Sequence, residues 1–166
     1  MCKRITLLLC AAGLLALTAC GWHLRGSGDE TIQLSEINLA ANDVYTDLYR
    51  TFKQEVERRE IRLASDSRAP ALLLVDEALS ERIISYNTEL DPAEKELTLT
   101  IYYQLNRVPY HLQDRITFRQ DAKRAAANES QQDLLLEQMR RRLCLRILQQ
   151  VALVNRSPQH SPTSTP

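Results

Sequence analysis

The sequence predicts an α+β domain in which two helices pack on one face of a mainly antiparallel, mixed four-stranded sheet, forming a two-layer sandwich. Three observations predict it. Leu97, Leu99, Ile101, Tyr103 and Leu105 alternate with Thr98, Thr100, Tyr102, Gln104 and Asn106, the period of a strand buried on one face. Two other segments carry apolar residues every four positions, Val44, Leu48, Phe52 and Val56 in one and Leu135, Met139, Leu143, Ile147 and Val151 in the other, as in an amphipathic helix. The element order, strand, helix, three strands, helix, contains no repeat and suits a sheet covered on one side and polar on the other.

The chain of 166 residues is 44% apolar and carries 21 basic against 21 acidic residues, which fits one globular domain and argues against a general binder of nucleic acid. Residues 1–19 read as a secretory signal. Lys3 and Arg4 form a positive start, and Ile5 to Leu17 form a 13-residue apolar core that is too short to span a bilayer. This stretch ends in Leu17-Thr18-Ala19-Cys20, which resembles the bacterial lipobox, so Cys20 is expected to be the lipid attachment site and the mature N-terminus. The residue after it, Gly21 rather than Asp, favours the outer membrane by resemblance to sorted lipoproteins. Several acyl chains anchor stably where one alone is marginal. Loss of the signal leaves 19 basic and 21 acidic residues.

Residues 20–30 are expected to form the lipidated N-terminus and a linker, and residues 31–154 the single domain. Thr31 to Ala40 reads as a strand, with Ile32, Leu34, Ile37 and Leu39 as its apolar positions. Asp43 is placed to cap the first helix, whose stripe is joined by Tyr45 and Tyr49. Ile61 to Ala64 is a short strand-like piece, and Asp66 to Pro70 a loop. Ala71 to Tyr86 is a long strand rich in Leu and β-branched residues; Asn87 to Ala93 breaks it. After the alternating strand, Pro109 marks a turn, and His111 to Asp121 alternates again with Ile116 and Phe118 opposite Arg115, Thr117 and Arg119. The second helix is expected from about Asn128–Ser130 to Val154, and Asn155 to Pro166, with eight Pro, Ser or Thr in twelve residues, should be a disordered tail.

Several chemistries are excluded. All four glycines lie in the first 28 residues, so no later loop matches the glycine motifs of nucleotide-binding enzymes or serine hydrolases. The three histidines, His23, His111 and His160, cannot form a zinc site with cysteines at ligand spacing, so neither metal nor cofactor is expected beyond the lipid on Cys20. Carboxylates such as Glu94, Glu96, Asp114 and Asp121 read as solvated charges, and nothing nominates a catalytic centre. Cys144 is the one cysteine left in the domain and reads as a small buried apolar residue.

What remains is a surface. The uncovered sheet face, with Thr98, Thr100, Tyr102, Gln104, Arg115, Thr117 and Arg119, is the candidate for interaction. A meander of the last three strands brings the loops after Tyr86 and Asp121 to one end of the sheet, where Lys95, Arg119, Lys123 and Arg124 are expected to gather, with Arg82 near. Such a cluster can hold phosphates through charge-assisted hydrogen bonds. Glu89, Asp91, Glu94 and Asp121 compete with it.

The segment Cys20-Gly21-Trp22-His23-Leu24-Arg25-Gly26 resembles the start of mature LptE lipoproteins, which begin with Cys-Gly, an aromatic residue and Leu-Arg. The element order resembles that family over residues 20–154. The resemblance implies an outer-membrane lipoprotein, not an enzyme, that plugs and helps assemble the LptD β-barrel and assists lipopolysaccharide insertion. It makes Gly21, Trp22, Leu24 and Arg25 motif positions that seat the chain beside its anchor. It also makes the phosphates of lipopolysaccharide the natural ligand of Lys95, Arg119, Lys123 and Arg124. An alternative from another class is an auxiliary lipoprotein of a phospholipid-trafficking transporter, separable by the partner that co-purifies.

Overall fold

The structure is a computed structural model, and it describes residues 32–65, 68–121 and 123–156. Residues 1–31 and 157–166 lie outside the described residues, so the signal, Cys20, the motif positions Gly21, Trp22, Leu24 and Arg25, and nearly all of the tail are not placed by it. The described elements are β1 (Glu36–Ala41), α1 (Asp47–Arg58), β2 (Arg62–Leu63), β3 (Ala71–Tyr86), β4 (Pro92–Leu105), β5 (Val108–Arg119) and α2 (Ala125–Arg156). They form a five-stranded mixed sheet in the order β2-β1-β3-β4-β5. β1 is parallel to both β2 and β3, and β3, β4 and β5 form an antiparallel meander.

The expected two-layer α+β architecture is observed, with one strand more than predicted. The fifth strand is Arg62–Leu63, paired with Glu36 and Ile37; it lies inside Ile61 to Ala64, which reads as strand-like in the sequence but is too short to be counted as a strand of the sheet on its periodicity. β1 is also shorter than expected. Residues 32–34 are irregular, yet Leu34 still reaches the core.

Helix α1 starts later than predicted. Asp43 turns its carboxylate to its own loop and accepts from Tyr45 N at 2.8 Å, and Thr46 caps the helix by accepting from Tyr49 N at 3.2 Å. Val44 and Tyr45 therefore lie outside the helical stripe and are exposed, whereas Leu48, Phe52 and Val56 are buried. The chain leaves α1 through Glu60 in the left-handed region, φ 56°, with Ile61 N donating to Val56 O.

The core lies between sheet and helices. Leu97, Leu99, Ile101, Tyr103 and Leu105 point from β4 into a cluster with Phe52, Met139, Leu143, Ile147 and Val151, each large apolar side chain contributing roughly 1.5–3 kcal/mol on burial. α2 extends beyond the predicted ends at both termini, from Ala125 to Arg156, so Asn155 and Arg156 belong to the helix rather than the tail. Pro109 does not make the β4–β5 turn. Asn106 and Arg107 make it, both at positive φ (50° and 70°), and Pro109 lies in the edge strand β5 opposite Gln104, where its missing N–H costs no ladder bond.

Candidate interaction surface

Cross-strand register builds the open face. Glu94 pairs with Arg119, Glu96 with Thr117, Thr98 with Arg115, Thr100 with Gln113 and Tyr102 with His111, so the polar sides of β4 and β5 coincide as expected. A bulge at Val75 resets β3: Leu72 and Leu74 face the core before it, and Asp76, Ala78, Ser80 and Arg82 face the open side after it, opposite Tyr102, Thr100, Thr98 and Glu96. The face is therefore three strands wide and is held by a ladder of charge. Glu96 joins Arg82 at 3.1 Å to Arg115 at 3.8 Å, Glu94 accepts from Ser85 Oγ and pairs with Arg119 at 3.5 Å, and Tyr102 lies against the His111 ring.

The expected basic cluster forms only in part. The meander does bring the loops after β3 and β5 together, as Gln120 N donating to Ala93 O at 2.9 Å shows. Arg119, Lys123 and Arg124 share that end, with Lys123 lining an open cavity of about 410 Å³ together with Asn87, Glu89, Asp91 and Asp121. Lys95 does not join them. Neighbouring residues of a strand point to opposite faces, so Glu94 faces Arg119 while Lys95 turns to the helix side, where its Nζ lies 2.9 Å from Glu81 Oε2. Arg124 pairs with Asp121 at 3.6 Å. Glu81 also accepts from Gln132 of α2 at 2.7 Å, and the Lys95 bond, opposed by partial burial and aided by Gln132, holds its carboxyl below the usual 4.5.

Two features were missed from sequence. The far half of the β3–β4 hairpin exposes Leu79, Ile83, Ile84, Tyr86 and Leu90, the last 80% exposed; β-branched content marked most of these as strand, but nothing local showed that they stay outside the core. The second is a charged hub on the helix side. Glu55, 1% exposed, is met by Arg58 and Arg59 of its own helix region and by Arg141 of α2 at 2.9 Å. Nearby, Arg140 Nε donates to both carboxylate oxygens of Glu77 at 2.9 Å, Arg142 pairs with Asp114 at 2.7 Å, and Arg146 caps Gln113 O at 3.1 Å. The arginine run of α2 thus ties helix to sheet. Cys144 is fully buried, and burial, helped by Glu55 and Glu77, pushes its thiol up to about 12. Tyr103 Oη donates to Gln150 Oε1, and its phenol is raised by burial and by Tyr110.

Among the described residues no group of three His, Cys, Asp or Glu is arranged to hold a metal ion, and no helix is long and apolar enough to cross a membrane. The described residues thus form a helix-backed α+β sheet with one charged open face and an exposed apolar stretch on its hairpin. The LptE family model, lipopolysaccharide-assembly, matches residues 30–151, and the chain belongs to that family. The LPS-assembly lipoprotein LptE of Photorhabdus laumondii is 26% identical over 162 residues, covering 93% of this chain and 89% of that protein. Its namesake in Yersinia pestis is 26% identical over 164 residues, covering 93% and 79%. Among solved structures, the rare lipoprotein B of Shewanella oneidensis has a similar fold, with a TM-score of 0.66 at 22% identity over 72% of this chain and 95% of that one. A minor lipoprotein of Acinetobacter baumannii gives 0.57 at 18% identity over 72% and 92%.

Proposed function

We propose that this chain is a non-enzymatic outer-membrane lipoprotein, anchored on the periplasmic side by lipid on Cys20, that seats in the LptD β-barrel and assists lipopolysaccharide insertion into the outer leaflet. Family membership supports the assembly role, and the open sheet face supports the seat. A barrel lumen is polar, and a face of Thr, Ser, Tyr and paired Glu–Arg ladders suits such a wall, with Asp76 left to find a polar partner there. The exposed hairpin arm then offers its apolar side chains to partner loops or acyl chains. Arg119, Lys123 and Arg124 are the phosphate contacts of this reading, and Lys95, paired with Glu81 on the opposite face, is not among them.

Affinity purification of the lipidated protein from detergent-solubilised outer membrane is expected to recover one large heat-modifiable β-barrel in equal amount. Recovery of inner-membrane transporter components instead would overturn the reading. For the phosphate contacts, charge removal at Arg119, Lys123 and Arg124 should weaken lipopolysaccharide binding while Lys95→Met changes mainly stability; unchanged binding in the triple variant removes them from the site.

A further inference from the structure

We propose that the outer edge of β3, from Glu77 to Ile83, takes an extended segment of the barrel partner as an added strand of the sheet; this rests on the reading that the chain seats in that barrel. Pairing defines the edge. β1 runs beside β3 only as far as Leu74, where Asn42 N donates to Leu74 O at 3.0 Å and Asn42 Nδ2 to Val75 O at 3.2 Å. Beyond that point β4 is the one strand beside β3 among the described residues. The phase of the ladder follows from Gln120 N donating to Ala93 O. Odd-numbered residues of β4 bond to β5, so the even-numbered Glu96, Thr98, Thr100 and Tyr102 bond to their partners Arg82, Ser80, Ala78 and Asp76 in β3. Glu77, Leu79, Glu81 and Ile83 therefore turn their N–H and C=O groups outward, over about 20 Å.

The other edges are guarded and this one is bare. In β5, Pro109 lacks a donor and Arg146 Nη1 donates to Gln113 O at 3.1 Å, two interruptions of the same outward row, and β2 at the far side is two residues long. Prolines, cations and short edge strands are the usual defences against stray strand pairing. From Glu77 to Ile83 there is no proline, and the one cation, Arg82, is held by Glu96 at 3.1 Å. The acids along the edge are occupied too, Glu77 by Arg140 and Glu81 by Lys95 and Gln132. Leu79 and Ile83 stay half exposed between them. Glu77 N already donates to Asp76 Oδ1 at 2.8 Å, so the donors left without a partner among the described residues are those of Leu79, Glu81 and Ile83.

The edge identifies its occupant. An acyl chain covers Leu79 and Ile83 but offers nothing to the N–H and C=O groups beside them, whereas an extended peptide does both. On the helix side the added strand should carry apolar residues, to lie against Leu79 and Ile83; on the open side it should carry small or polar ones, beside Ala78 and Ser80. A Lys or Arg of the segment belongs near Asp76, which is exposed and has no cation partner among the described residues. The open face that forms the seat ends along Asp76, Ala78, Ser80 and Arg82. The edge continues that seat, and the segment comes from the polypeptide that fills it.

The test is hydrogen exchange, resolved to single amides by electron-transfer fragmentation, on the lipidated chain alone in detergent and on the complex purified with its barrel. In the chain alone the amides of Leu79, Glu81 and Ile83 should exchange fast and those of Ala78, Ser80 and Arg82 slowly. In the complex the first three should slow at least about tenfold, while the outward amides of His111 and Thr117 in β5 stay fast. L79K/I83K places charges where the added strand must lie and touches no fully buried side chain; it should lower barrel recovery at least about tenfold with the thermal melt unchanged. Fast exchange at Leu79, Glu81 and Ile83 in the complex, equal slowing at His111 and Thr117, or the same slowing by lipopolysaccharide without the barrel overturns the added strand. Recovery of no barrel with the unsubstituted chain is a different failure and sinks the seat itself.

Discussion

Replacing Glu55 by glutamine tests whether a buried charge holds the two helices together. The carboxylate is 1% exposed and meets three guanidiniums, Arg58 at 2.7 Å, Arg59, and Arg141 at 2.9 Å. Glutamine keeps the shape, removes the negative charge and turns an amide donor toward cations. Breaking a buried pair costs about 3–5 kcal/mol. Here the side chains of Arg58 and Arg141 are half exposed and regain water, which reduces the loss to roughly 2–3 kcal/mol. For a domain of this size each kcal/mol moves Tm by about 3–5 °C, so Glu55→Gln should lower it by roughly 6–15 °C in thermal melts of the mature chain, with the urea m-value unchanged. Arg141 is the part of the hub that comes from α2, so a double-mutant cycle of Glu55→Gln with Arg141→Met should show a coupling above about 0.5 kcal/mol. A Tm change under about 2 °C, or a coupling of zero, refutes the idea that this hub links the helices.

Arg107→Gly should stabilise the fold by roughly 0.5–1 kcal/mol, because glycine adopts the left-handed turn position without strain; a lower urea midpoint would contradict the turn geometry. Cys144 should resist thiol reagents at pH 8, since its thiol is pushed up to about 12, and react only as fast as the domain unfolds; rapid labelling of the native protein would show that the helix seam opens locally. Glu81 has its pKa lowered by Lys95, so its contribution is present above the ordinary value of 4.5 and is lost as pH falls through the lowered one. Lys95→Met should therefore flatten the stability profile on the acid side of pH 4.5, and an unchanged acid limb in urea titrations would remove the pair from the balance.

The readable elements were those long enough to show a period. The alternation of β4 and the stripe of α2 gave both elements and their buried residues, because burial on one face leaves its mark on every second or every fourth position. The placement of Lys95 was equally legible: it is in phase with Leu97 and Leu99, and so belongs to the helix side, whereas Arg119 is in phase with Arg115 and Thr117. Topology put both at one end, and parity alone decides the face. By contrast β2 owes its two residues to pairing with β1, and the bulge at Val75 that carries Glu77 and Glu81 to the helix side exists only because β4 is there to pair with.

The misplaced turns share one physical cause. No glycine follows Gly28, so the left-handed positions at Glu60, Leu90, Asn106 and Arg107 are filled by residues that carry a Cβ; Asn87 and Asp91-Pro92 still marked the turn around Leu90, whereas no glycine marked those at Glu60 and at Asn106–Arg107. Pro109 stood out and attracted the turn that Asn106 and Arg107 make. Asn106 repays part of the strain, since its Oδ1 accepts from Ala71 N at 3.0 Å and its own N–H donates to Ala71 O at 2.8 Å, tying the turn to the start of β3. Arg107 makes no such bond within the described residues. Of the two left-handed residues in one turn, the first is tied to β3 by its own hydrogen bonds and the second is not, so substitution at Asn106 should lower stability whereas Arg107→Gly should raise it.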